Sequence, residues 1–183
     1  MKHTRYAPLH LIRITLGVPT IKGKGKAVVD WAKYVLADIQ GKPVVAHHGI
    51  ERSGTNLLRE SVEFLGATIS NEQYTSAGPI PGHKHLRLQH NKSTIVSSPT
   101  NVNHYVPSSL AQYNHDMRMP STMKHLVIFK DPANWVVSMN NYAERAGYPN
   151  GGHVLDNENL LKQYIVEWSE YYSAWDALAQ ANP

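Results

Sequence analysis

The stretch from residue 43 to residue 70 constrains this chain more than any other. Residues 43–48 (Pro-Val-Val-Ala-His-His) form a short run with β-branched residues at its start, as expected of a strand. They lead directly into a loop with glycine at both ends, Gly49-Ile50-Glu51-Arg52-Ser53-Gly54. Residues 55–65 then place Leu57, Leu58, Ser61, Val62 and Leu65 on one helical side, and Gly66 follows as a helix terminator. Residues 67–70 read as a second strand. Strand, tight loop, helix and strand in this order make a βαβ unit. Its loop falls where open α/β sheets bind their ligands.

The rest of the chain fits the same class. Residues 125–130 (His-Leu-Val-Ile-Phe-Lys) carry the strongest buried-strand signal. Asp131 is placed to cap the helix that follows, with Pro132 at its first position and Trp135, Val136, Met139 and Tyr142 on its apolar side. Between residues 160 and 178, Leu160, Leu161, Tyr164, Ile165, Trp168, Tyr171, Tyr172, Trp175 and Leu178 mark a long amphipathic helix whose aromatics belong to the core. Residues 83–88 alternate polar and apolar and predict a third strand. Residues 71–82 read as a loop, and 89–122 as mainly loop with short helical turns. Upstream, residues 1–26 are a basic arm closing in Lys22-Gly23-Lys24-Gly25-Lys26, a solvated connector by composition. Residues 27–40 carry Val28, Trp31, Ala32, Val35, Leu36 and Ile39 at helical spacing, stopped by Gly41 and Pro43. The expected division is an arm and helix over 1–41 and an α/β domain with a mainly parallel sheet over 42–183.

Composition narrows the chemistry. A chain of 183 residues has room for one ordinary domain with a real core. With no Cys, a disulfide scaffold, a zinc finger, an iron–sulfur centre and a thiol nucleophile are all excluded. No apolar run approaches the roughly 20 residues of a membrane span, and the N-terminus lacks a signal-peptide layout. A cytoplasmic protein is the expectation. Against 14 acidic residues stand 18 Lys and Arg, a formal charge of +4, which suits small anionic ligands; no nucleic-acid partner is expected. His83 and His85 share a strand face and might be joined by His115, but with no Cys and no clear carboxylate partner no metal is expected. His47 and His48 are expected to line the strand end, and Asn71-Glu72 to be plain loop.

The glycine loop resembles the Walker A layout, G-x4-G, with one telling change. Where that motif has Lys-Ser/Thr, this chain has Thr55-Asn56, so the usual ammonium and magnesium-binding hydroxyl are missing. What remains is a nest of backbone N–H groups at a helix N-terminus, with a cation displaced into the loop as Arg52. Residues Glu51-Arg52-Ser53-Gly54-Thr55-Asn56-Leu57-Leu58 resemble the 5′-phosphosulfate loop of sulfotransferases, typically Pro-(Lys/Arg)-Ser-Gly-Thr-Thr-x-Leu. Lys130-Asp131-Pro132 followed by Ser138 is similar to that family's 3′-phosphate signature. Lys84-His85-Leu86-Arg87 looks like the strand bearing its catalytic His.

The resemblance covers residues 43 to about 178 and implies a three-layer P-loop fold. It implies transfer of a sulfuryl group from 3′-phosphoadenosine-5′-phosphosulfate to a hydroxyl of a carbohydrate or small molecule, with no metal required. Arg52, Ser53, Gly54, Thr55 and Asn56 would hold the 5′-phosphate, Arg52 also neutralising the leaving group. Lys130 and Ser138 would grip the 3′-phosphate, and His85 would take the acceptor proton. Lys130 stands where Arg is common, and Asn56 where Thr is. The family continues past the last helix into another strand and a basic loop, so the chain, ending at Pro183, reads as a member truncated at its C-terminus. Two alternatives stay open: a P-loop kinase using ATP and magnesium, and a non-catalytic nucleotide-binding remnant.

Overall fold

A computed structural model describes residues 36–37, 39–71, 74–75, 78–79, 82–88, 92–97, 104–117, 119, 123–148 and 152–181. The basic arm, its Gly/Lys run and most of the helix expected over 27–40 lie outside these residues; Leu36, Ala37 and Ile39 are helical.

The βαβ unit forms, although on the expected helix face Val62 is buried while Leu57 and Leu65 are exposed. Strand β1 (Val44–His48) is followed by helix α1 (Thr55–Phe64) and strand β2 (Thr68–Ile69). Gly66, at φ 87°, takes the left-handed turn that ends α1. β2 pairs parallel to β1, with Val44 opposite Thr68. On the other side of β1 lies strand β5 (Lys124–Val127), also parallel, with His48 opposite Val127. The sheet order is therefore β2-β1-β5, with β1 in the centre. This is an α/β arrangement around a small parallel sheet.

Helix α3 (Pro132–Ala146) begins where the sequence places it, with the Asp131 side chain accepting from the Asn134 amide at 3.0 Å and Pro132 in the first turn. Helix α4 (Glu158–Gln180) is capped by Asn157 and packs against α3. Their apolar faces supply most of the core, including Trp135, Val136, Met139, Tyr164, Tyr171 and Trp175. The long-helix aromatics are core residues, as their spacing indicates. Among the described residues, no helix is long and apolar enough to cross a membrane.

Three expectations need correction. Residues 83–88 are a turn, closed by the Leu86 amide on the His83 carbonyl at 2.8 Å, with a single parallel bridge from Arg87 to His104. Their alternation misleads because the polar members are not on a wet face: His83, Lys84 and Arg87 are buried along with Leu86 and Leu88. Within the segment expected as loop, β3 (Tyr74–Thr75) and β4 (Gly78–Pro79) form a small antiparallel pair. The apolar run at 125–130 leaves the ladder at Val127, and Phe129 remains 70% exposed. Apolar periodicity reports a preference for burial, not whether a layer exists to cover both faces. Residues 89–122 hold a short 3-10 turn (Lys92–Thr94) and helix α2 (Leu110–Asp116), as expected of a loop-rich segment.

One backbone contact sets the loop against the sheet. A Cβ on Gly49 would overlap the Ser53 hydroxyl and lie 2.8 Å from Thr55 Cγ2 and 3.0 Å from Ile128 Cγ2. Gly49→Ala is expected to destabilise the domain by about 1–3 kcal/mol through overpacking, read from urea denaturation midpoints at unchanged slope.

Candidate functional site

The loop between β1 and α1 is held from several sides. The Gly49 amide donates to the Lys84 carbonyl at 3.1 Å, and the Ser53 amide to the Ile50 carbonyl at 3.1 Å. Arg52 and Gly54 both take left-handed backbone, at φ 66° and 104°. For Gly54 this costs nothing; for Arg52 it is uncommon and has to be enforced by its surroundings. Trp135 of α3 donates its indole N–H to the Glu51 carbonyl at 2.7 Å. Arg52 itself is exposed, its guanidinium 5.3 Å from the centre of the Tyr142 ring. Ser53 and Thr55 are buried, and no side chain caps α1 at Gly54.

Two lysines stand on neighbouring segments. Lys84 is buried, and its ammonium donates to Asn56 Oδ1 at 2.7 Å in the first turn of α1. It stands beside the helix N-terminus from which a Walker lysine is missing. Lys130 follows β5, and its ammonium donates to the Ser138 hydroxyl one and a half turns into α3. Helix α4 fixes this strand exit: Trp168 donates to the Lys130 carbonyl at 2.9 Å and Tyr172 to the Ile128 carbonyl at 3.0 Å.

His85 follows Lys84 in the same turn and is bonded to the glycine loop. Its Nδ1 lies 2.7 Å from the Gly49 carbonyl oxygen. A carbonyl only accepts, so Nδ1 carries the hydrogen and Nε2 of the neutral ring keeps its lone pair. Burial lowers the His85 pKa below the ordinary value, against the opposing pull of Glu51 and the Gly49 carbonyl. The ring is therefore a neutral proton acceptor at physiological pH.

Beneath the site lies a buried ionic network. Arg87 is fully buried and bonded to Glu51 of the loop, to Glu167 Oε1 of α4 at 3.0 Å, to Ser97 Oγ at 2.8 Å and to the His85 carbonyl at 3.0 Å. Burial opposes the charge of Arg87, but the Glu51 and Glu167 carboxylates more than offset it and hold the guanidinium protonated. Burial likewise opposes ionisation of Glu51, and Arg87 with His85 still keeps its carboxyl below the usual range.

The structure thus gathers Arg52, Ser53, Gly54, Thr55 and Asn56 on one loop and helix start, ties His85 to that loop, and pairs Lys130 with Ser138 at the neighbouring strand. It adds residues to which sequence reasoning gave no role: Lys84, Glu51, Arg87 and Glu167. Glu167 left a signal, since it shares the apolar face of α4 with Tyr164 and Tyr171, where a carboxylate must have a partner. His115 does not join His83 and His85; it is exposed and bonds Asp116 beside it. Among the described residues no group of three or more His, Asp or Glu is placed to hold a metal ion. Asn71 is no plain loop residue, because it is buried and brackets His47, accepting from its amide at 3.0 Å and donating to its carbonyl at 2.7 Å. A cleft of about 140 Å³ beside Leu88, Pro107, Ala174 and Leu178 touches none of the residues gathered here.

Compared with family models, curated proteins and solved structures, the chain matches none. Function therefore has to be argued from the geometry.

His48 adds a second buried histidine system. His125 Nε2 donates to Asn114 Oδ1 at 2.8 Å, which leaves its Nδ1 to accept from His48 Nε2 at 2.9 Å. His48 Nδ1 is then a buried lone pair with no hydrogen-bond partner among the described residues. Burial pushes His125 down to about 4, and burial with the neighbouring His125 lowers His48. In the unfolded chain these rings protonate near 6.5, so the unfolded state binds more protons below that pH. Stability is expected to be full above about pH 6.5 and to decline as pH falls toward 4. Urea midpoints measured across this range test it, and His125→Phe should flatten the decline.

Proposed function

We propose that this chain moves a sulfuryl group from 3′-phosphoadenosine-5′-phosphosulfate to a hydroxyl of a carbohydrate or small-molecule acceptor, on a three-layer scaffold of the P-loop kind. The observation that carries this reading is the Lys130–Ser138 pair at the exit of the strand next to β1. A ligand with one phosphate needs only the glycine loop. A second anion grip on the adjacent strand suits a nucleotide phosphorylated at both the 5′ and the 3′ position.

The chemistry follows from the residues present. Amides of the loop and of α1, with the Thr55 hydroxyl and the Asn56 side chain, would bind the 5′-phosphate. Lys84 adds a buried positive charge at that end and Arg52 an exposed one. His85 Nε2 takes the proton of the acceptor hydroxyl as its oxygen bonds to sulfur. The sulfur–oxygen bond to the 5′-phosphate breaks, and the charge that builds on the departing oxygen is met by Arg52 and Lys84. Catalysis of this kind consists of positioning and electrostatic stabilisation. Lys84 also lends weight to a second reading, a kinase, because it supplies the ammonium that Thr55-Asn56 lacks.

A melting panel with adenosine 3′,5′-bisphosphate, ATP and GTP, each with and without magnesium, separates the two. The bisphosphate is expected to raise the melting temperature without metal; at a hundred times Kd the stabilisation is about 2.7 kcal/mol. A larger, magnesium-dependent shift with ATP would favour the kinase. Ser138→Ala should weaken the bisphosphate by about 1.5–3 kcal/mol and leave adenosine 5′-monophosphate nearly unchanged, measured by calorimetry. Equal loss for both ligands would make Ser138 structural. His85→Asn should lower sulfuryl turnover at least about a hundredfold with bisphosphate affinity within about threefold. A wild-type chain that binds the bisphosphate and transfers to no hydroxyl would be a binding remnant.

A further inference from the structure

Glu51 is an acid inside a loop otherwise suited to anions, next to Arg52 and one turn before the N-terminus of α1. A free carboxylate there would repel a phosphate. It is not free, because it accepts from Arg87 Nη2. The same guanidinium donates through Nη1 to the His85 carbonyl at 3.0 Å. On its Nε edge it is clamped by Glu167, which is fully buried and also accepts from the Val96 amide at 2.8 Å, the Ser97 amide at 2.7 Å and the Ser97 hydroxyl at 2.5 Å. Tyr171 covers it, with its ring centre 5.4 Å from Arg87 Cζ. The planar fork of arginine fits this arrangement and a lysine ammonium does not. Its orientation is set by α4 and the 96–97 backbone, and it passes that orientation to two places: the residue before the left-handed Arg52, and the backbone of His85.

We infer that Arg87, clamped by Glu167, is a positioning residue that holds the Arg52-bearing loop and the base His85 in register, with Glu51 as the loop's attachment to it. The inference rests on the sulfuryl-transfer reading for the identity of the ligand, and on the hydrogen bonds alone for the coupling. Among the described residues, the charged and titratable groups around His85 are Glu51 from the loop, Arg87, Lys84 and His83 from its own turn, and His48 from β1. Glu51 is the carboxylate among them.

Glu51→Gln and Arg87→Lys in the full chain test this, with folding checked by near-ultraviolet circular dichroism. Glu51→Gln alters a side chain that is partly exposed, so it provides a folded variant should Arg87→Lys not fold. Adenosine 3′,5′-bisphosphate affinity is read by calorimetry, and the His85 ring by long-range proton–nitrogen NMR across pH. The sign of the affinity change is diagnostic. If Glu51 acted through charge alone, Glu51→Gln would bind the bisphosphate more tightly. Positioning predicts weaker binding, by about fivefold or more, the scale of the difference between a charged and a neutral hydrogen bond. It also predicts that His85 no longer holds a single tautomer in either variant; a lower titration in Glu51→Gln follows from the lost carboxylate charge and is not diagnostic. Both readouts must move in each folded variant; either one remaining at its wild-type value overturns the inference. If wild type does not bind the bisphosphate, the sulfuryl-donor reading fails instead. The His85 tautomer then decides the coupling, a change supporting it and no change overturning it.

Discussion

Arg87 is completely buried, and a guanidinium taken out of water is tolerated only when its charge and donors are fully met. Two carboxylates, a serine hydroxyl and a carbonyl meet them here, and they come from four separate parts of the chain. The glycine loop, the His85 turn, the 92–97 segment and helix α4 all converge on this one group. Breaking a buried pair by removing a single partner costs about 3–5 kcal/mol, so these segments cannot drift independently. The small parallel sheet alone would not hold them, because β2 offers only two residues and β5 only four.

The site inherits its order from that network and from the aromatic residues of the two long helices. Trp135 anchors the loop carbonyl, while Trp168 and Tyr172 anchor the exit from β5. Each aromatic contributes buried area and one polar handle, and the handle falls on a carbonyl beside a proposed ligand-binding group. The packing that stabilises the domain is thereby the packing that aims Arg52, Lys130 and His85.

Much of the fold was legible in the chain. The β1–α1–β2 unit, the Asp131-Pro132 helix start and the aromatic face of α4 are local patterns with local causes: period, capping and glycine handedness. The alternation at residues 83–88 predicts a strand, whereas Lys84 and Arg87 are buried by partners far away in sequence and leave no wet face for one. Of the candidate site, the local parts were legible. Arg52, Ser53, Gly54, Thr55 and Asn56 are contiguous and announce themselves, and Lys130 and Ser138 lie one helix start apart. Glu51, Lys84, Arg87 and Glu167 interact across 28 to 80 residues, and no spacing rule connects them.

What the amino-acid sequence determined by itself is the β1–α1–β2 unit, the starts of the two long helices and the position of the glycine loop, since helix period, caps and left-handed glycines act within a few residues. Only the tertiary structure decided which charges are buried together. Desolvation and pairing are properties of the assembled neighbourhood. Glu51 is an acid beside a presumed anion site when read along the chain, and becomes an anchor only when Arg87 is folded against it. His85 is likewise an ordinary imidazole in sequence; the Gly49 carbonyl assigns its tautomer, and burial lowers its pKa.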